Sequence, residues 1–139
     1  MVAGGNVEAV KRIFESINDR DVDGVVVQLD PDFELDSSRS INPDLRGVHR
    51  GREAAGAALR SMLEPWEEFE MYVDGYIEHG DNVIRHGGIR ARGRGSGVAI
   101  EAKGAQVWEF RDGKPVAARQ FQTQEEALRF AGIEAEADE

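Results

Sequence analysis

Along this chain the apolar positions follow two different periods, one in the first half and one in the second. Val7, Val10, Ile13, Phe14 and Ile17 recur every three or four residues, as on one face of a helix that Asn6 is placed to cap. Asn18-Asp19-Arg20-Asp21 ends that helix and caps a short second one over residues 22–29, despite the β-branched Val25, Val26 and Val27. Asp30-Pro31-Asp32 stops it, and Phe33-Glu34-Leu35-Asp36 alternates as a first strand. Residues 37–50, with Ser, Asn, Pro and Gly, read as a long loop. Gly51 opens a third helix that packs through Ala54, Ala55, Ala58, Leu59, Met62 and Leu63 and ends at Pro65.

From Phe69 onward the period is two. Strands are predicted over residues 69–79, 83–92, 99–110 and 116–122, with turns at Gly80-Asp81-Asn82 and over residues 93–97. Arg111-Asp112-Gly113-Lys114 is a tight hairpin signal, because Gly accepts the positive φ that such turns need. Thr123, with Glu126 three residues later, starts a closing helix, and Gly132 ends it.

Helices gathered before a run of short-turn strands predict an α+β fold whose sheet is mainly antiparallel. Wrapped around the N-terminal helices, such a curved sheet forms a cone with an open mouth, a natural place for a small apolar pocket. The chain reads as one domain over residues 6–133, with a loose N-terminus at 1–5 and an acidic tail at 134–139.

Composition narrows the function classes. A length of 139 residues allows one domain with a real core. The net charge of −10 argues against nucleic acid or an anionic membrane as partner, since both demand a basic footprint. The absence of cysteine removes disulfides, thiol catalysis and cysteine metal sites. No basic-then-apolar leader and no membrane-length apolar run is present, so a cytoplasmic protein is expected.

Four stretches in this order resemble the SnoaL-like polyketide cyclase family, within the superfamily of nuclear transport factor 2 and ketosteroid isomerase. They are Asn18-Asp19-Arg20-Asp21-Val22-Asp23-Gly24, Asp30-Pro31-Asp32-Phe33, Gly93-Arg94-Gly95-Ser96-Gly97-Val98, and Val107-Trp108-Glu109-Phe110-Arg111-Asp112-Gly113-Lys114 with Glu126-Ala127-Leu128 beyond. The likeness covers roughly residues 6–133. It implies the cone fold and a homodimer, for which a sheet face alternating Val107, Glu109, Arg119 and Phe121 offers a surface. It does not imply one activity, since this fold hosts isomerases, cyclases, hydrolases, dehydratases and proteins without catalysis.

The resemblance places a base at the end of the first strand, one that removes a proton beside a carbonyl and returns it elsewhere. In ketosteroid isomerase an Asp base faces a Tyr and a protonated Asp. Here the candidate is Asp36, although ungapped alignment through Gly24 and Asp32 places Ser37, not Asp36, opposite the family's base. If Phe33 and Leu35 face inward, alternation turns Ser37 inward and Asp36 outward, unless a bulge reverses it. The region that carries the isomerase Tyr holds Ile13 and Phe14, and Gln106 stands where the protonated Asp is expected. A usual steroid isomerase is therefore not expected. Gln106, the Trp108 indole N–H and Gln120 form a candidate polar clamp, with Phe14 and Ser37 as further substrate contacts.

His86 is the second candidate acid or base, provided that it faces inward together with Ile84. His79 lies at a strand end and His49 in the loop, facing water. The histidines have no metal-ligand spacing, so neither a metal nor a cofactor is expected. Arg85, Arg90, Arg92 and Arg94 form a basic cluster whose glycines match no phosphate loop. Arg90, Arg92 and Arg94 share one strand face, read as a stripe paired with acids, and one inward Arg is a possible clamp for a substrate carboxylate. Arg90-Ala91-Arg92 lacks the Asp that the superfamily's epoxide hydrolases keep two residues from their Arg.

The expected function is binding of a small, mostly apolar molecule in the cone, with cofactor-free isomerase or cyclase chemistry as its catalytic form. The alternative is a dimeric domain that binds a ligand or partner without turnover.

Overall fold

The computed structural model describes residues 5–39 and 46–133. The expected loose lead-in at 1–4, the middle of the long loop at 40–45 and the acidic tail at 134–139 lie outside the described residues. Among the described residues the elements are α1 (Gly5–Asn18), α2 (Val22–Val26), β1 (Glu34–Asp36), β2 (Val48–Arg50), α3 (Arg52–Leu63), β3 (Trp66–His79), β4 (Asn82–Gly93), β5 (Ala99–Arg111), β6 (Lys114–Phe121) and α4 (Gln124–Phe130). The six strands make one sheet in the order β2-β1-β6-β5-β4-β3. Every neighbouring pair is antiparallel except β1 and β6, which run parallel.

Local chemistry explains most boundaries. Asp112 and Gly113 both take positive φ, 54° and 80°, so the β5–β6 hairpin closes on a two-residue turn whose twist suits the strands. Thr123 Oγ1 accepts the Glu126 N–H at 3.1 Å and caps α4. At the other end Gly132 has φ 81°, the Gly132 N–H donates to Arg129 O and the Ile133 N–H to Leu128 O, a complete Schellman stop. Asp21 caps α2 through the Gly24 N–H at 3.0 Å.

Several boundaries differ from the sequence reading: α1 takes in Gly5 of the expected loose N-terminus, β3 begins at Trp66 rather than Phe69, and β6 at Lys114 rather than Val116. Asn6 lies inside α1 and is buried, so it is no cap. The second helix stops at Val26, and Gln28 and Leu29 then donate three residues back, because the β-branched run disfavours further helical turns. The end of the long loop is a strand: β2 pairs Arg50, His49 and Val48 with Glu34, Leu35 and Asp36, and so satisfies the free edge of β1. His49 is thus half-buried on the sheet rather than out in water.

The sheet is buried on its inner face and, beneath α4, on part of its outer face. Its inner face packs Phe69, Val83, Ala91, Trp108, Phe110 and Ala118 against α1, α2 and α3. Its outer face carries Ile84, Ala105, Val107 and Phe121 under Ala127 and Leu128 of α4. Val107 and Phe121 are therefore covered by the chain's own last helix and do not form the open dimer face that their alternation suggested. Among the described residues no helix is long and apolar enough to cross a membrane.

A β-bulge interrupts the middle of the β3–β4 pair. The register slips between Val73 and Gly75, opposite Gly87 and His86. A Cβ on Gly87 would collide with the Tyr72 carbonyl and come within 2.8 Å of Val73 Cα, so this crossing requires glycine. Gly87→Ala should lower stability by about 1–3 kcal/mol through overpacking, read from the urea midpoint. Trp108, 5 % exposed and set edge-on to Phe14 and tilted against Phe33, is core. Trp108→Ala should cost about 3–5 kcal/mol in the same measurement.

Candidate functional site

A cavity of about 120 Å³ lies between the helices and the inner face of the sheet. Helices supply Phe14, Ile17, Val25, Leu59 and Met62, and the chain between α2 and β1 supplies Leu29 and Phe33. Strands supply Leu35, Trp108 and Ala118. These are positions of the three-to-four-residue stripe and of the inward half of the two-residue period, which is why the wall is almost wholly apolar.

Polar residues gather at the sheet side: Ser37, Gln106, Gln120 and Arg119, whose guanidinium is paired with Glu34, Asp36 and Glu109. Trp108 Nε1–H donates to Gln106 Oε1 at 3.0 Å, and Gln106 Nε2 donates to Gln120 Oε1 at 3.0 Å. Gln120 Nε2 then donates to Phe121 O at 3.1 Å. The chain fixes both carboxamides, because Gln106 and Gln120 are opposite one another in the β5–β6 register. Each amide nitrogen carries a second hydrogen, so the row can still donate to a carbonyl or an oxyanion.

Of the sequence candidates, Phe14, Ser37, Gln106, Trp108 and Gln120 line this cavity. Asp36 does not. No bulge interrupts β1, so Asp36 points to the outer face, 7 % exposed. It accepts from Ser38 Oγ at 2.5 Å, Ser38 N–H at 3.1 Å, Arg39 at 3.3 Å and Arg119 at 3.4 Å. Burial pushes the Asp36 carboxyl up, and the Ser38 hydrogen bonds with the Arg39 guanidinium outweigh it and hold the group below the usual carboxylate range. Arg119 also binds Glu109 at 2.8 Å and Glu34 at 3.1 Å, and these bonds, the Glu109 one foremost, raise its pKa. An ionised carboxylate so held is a poor proton acceptor.

His86 does not line the cavity either. It shares the parity of Ile84, as expected, but that parity is the outer face, where Ile84 packs with Val107 and Phe121. Its ring lies over Gly75 at the β3 bulge, 2.8 Å from where a Cβ would stand. The charged residue that faces inward on this strand, with Val83 and Ala91, is Arg85, 3 % exposed, with its guanidinium 4.0 Å from the Phe14 ring centroid. Its position one residue before His86 is the only signal of this in the sequence, and only if Ile84 is taken as outward. Arg90 pairs with Glu70 and Glu101 and Arg92 with Glu68 on the solvent side. Among the described residues no group of three His, Asp or Glu is placed to hold a metal ion.

The model of the SnoaL-like domain family matches residues 10–118. Similar solved structures include a nuclear transport factor 2-like protein of unknown function from Burkholderia pseudomallei, 25 % identical, with TM-score 0.74, 90 % of this chain and 95 % of that one covered. A SnoaL-like polyketide cyclase, so described, from Jannaschia sp. is 22 % identical, with TM-score 0.73 and 89 % of each chain covered. TerC, co-crystallised with polyporic acid, is 20 % identical, with TM-score 0.72, 93 % of this chain and 97 % of that one covered. A comparison with curated proteins found no match.

The Asp36 ion pairs carry a pH dependence of stability. A carboxyl with a lowered folded pKa contributes stability above its unfolded value, about 3.9, and loses it as pH falls through the folded value. Asp36→Asn should therefore melt below the wild type at pH 7, by about 2 kcal/mol. The gap should close in acid below about pH 4. Thermal melts of both proteins across pH 2.5–7, an interval set by roughly the Asp range, check this.

Proposed function

Since this chain belongs to the SnoaL-like domain family, we propose that it binds a small, mostly apolar molecule in the cavity between its helices and sheet, with the molecule's carbonyl end against Gln106 and Gln120. One observation carries the reading: the wall is apolar except at its sheet side, where Ser37, Gln106, Arg119 and Gln120 gather, so a ligand has one favourable orientation. TerC, with the same fold, is co-crystallised with polyporic acid, and that supports a cavity-binding role here.

The wall groups orient a ligand rather than move a proton. Amides and a hydroxyl donate hydrogen bonds at neutral pH and have no useful basicity. Among the described residues no Asp, Glu or His lines the cavity, and the candidate bases Asp36 and His86 belong to the opposite face. Binding is accordingly the proposed activity, and isomerase or cyclase chemistry in this cavity would need a base other than those two. The family resemblance also supports a homodimer, which sedimentation equilibrium would report as twice the chain mass. Its interface would use outer-sheet surface that α4 leaves uncovered.

A cavity on this scale accepts a single ring. p-Xylene should bind the wild type and shift the indole N–H resonance of Trp108 more than that of Trp66. Ala58→Phe, a half-buried helical position on the wall, should weaken binding by about tenfold or more while the fold persists. Asp36→Asn should leave the affinity within about twofold, because its carboxylate faces away. Binding that survives Ala58→Phe, or is lost in Asp36→Asn, would place the ligand elsewhere.

A further inference from the structure

Among the described residues Arg85 is the one buried guanidinium whose partners do not account for its charge. Its Nη2 donates to the Tyr72 carbonyl at 2.8 Å, and its face stacks on Phe14. Its Nε is buried with no hydrogen-bond partner among the described residues. The carboxylate that acts on it is Asp74 at the β3 bulge, which is already bound to Lys103 at 2.8 Å. Tyr76, its cross-strand neighbour on β3, is a neutral phenol. Gln106, its cross-strand neighbour on β5, has its oxygen committed to Trp108. Buried charges are ordinarily paired, because leaving water is costly for an ion. In a chain with ten excess negative charges, an unpaired buried cation is not explained by a shortage of acids.

Its position suggests the missing partner. Phe14, on which the guanidinium stacks, lines the cavity, and so does Gln106, which stands opposite Arg85 on the same face of the β4–β5 pair. Arg85 thus stands one side chain behind the polar end of the cavity. We propose that Arg85 is the counter-cation for a negatively charged oxygen on the bound molecule, so that the cavity selects a small aromatic or apolar carboxylate, or an enolate, over its neutral isostere. This rests on the cavity-binding reading above and adds the ligand's charge to it. The guanidinium acts as a positioning group: the anion is held by the free amide hydrogens of Gln106 and Gln120 in the field of Arg85, and a small turn of the Phe14 ring brings it to the orphaned Nε–H. Burial lowers the pKa of Arg85, yet a guanidinium remains charged across the usable pH range, so the cation is permanent.

The test is an NMR titration of the whole protein at pH 7 with 4-methylbenzoate, 4-methylbenzamide and p-xylene. The wild type should bind the carboxylate about tenfold tighter than the amide. Arg85→Met, which keeps the stack on Phe14 without the charge, should bring the two within about twofold while p-xylene still binds. Arg85→Lys should restore part of the preference. Equal affinity of the wild type for carboxylate and amide would overturn the proposal while p-xylene binding keeps the cavity reading. A preference that persists in Arg85→Met would overturn it as well. Failure of all three probes to bind the wild type would remove the cavity reading and the proposal with it. If Arg85→Met does not fold, the wild-type comparison and Arg85→Lys decide the matter alone.

Discussion

The indole of Trp108 is the contact on which the rest of the interior depends. It sits on the inner face of β5 between Phe14 of α1 and Phe33 at the entry to β1, and its N–H begins the row that runs through Gln106 to Gln120. One side chain therefore joins the first helix, the first strand and the two central strands. Indole has a large apolar body and a single donor, so it can wall an apolar cavity and still fix a polar group at its edge. The cavity exists because Trp108, Phe14 and Phe33 hold the helices off the sheet on one side while Leu59 and Met62 line the other.

The same central strands bear the opposite chemistry on their other face. There Arg119 gathers Glu109, Glu34 and Asp36 beneath the end of α4, and Arg39 and Arg50 at the rim pair with Asp36 and Glu34, so that three cations face three carboxylates. Arg85 lies on the inner face with no such company. Two arginines on one sheet thus differ in what their surroundings supply, three carboxylates in one case and a ring and a carbonyl in the other. The contrast makes Arg119 a structural cross-link and leaves Arg85 open to a partner that the chain does not provide.

How much could be read beforehand varied with the range of the interaction involved. The β5–β6 hairpin, the Thr123 cap and the Gly132 stop were legible because each is settled within a few residues by φ preference and short hydrogen bonds. Strand β2 was not, because Val48-His49-Arg50 becomes a strand only by pairing with β1 across the loop. The early end of α2 lay in between, since the three valines announced a weak helix without saying where it would break.

For the site, the family resemblance singled out Gln106, the two-residue period put Trp108 on the same face of its strand, and the same period put Ser37 opposite in sense to Asp36. Period alone, however, sorts residues into two faces without saying which face encloses the cavity. That distinction is usually drawn from burial, but here both faces carry buried residues, one under α1 to α3 and the other, around Ile84 and Val107, under α4. Ile84 and Val107 are as apolar as any inward residue, so His86 beside them looked inward and Arg85 looked outward. By itself the sequence determined the fold class, the turns and the pairing of residues on shared faces, because these follow from local backbone preference and side-chain alternation. Only the tertiary structure decided which face became the cavity, because that depends on which helices pack on each face of the sheet.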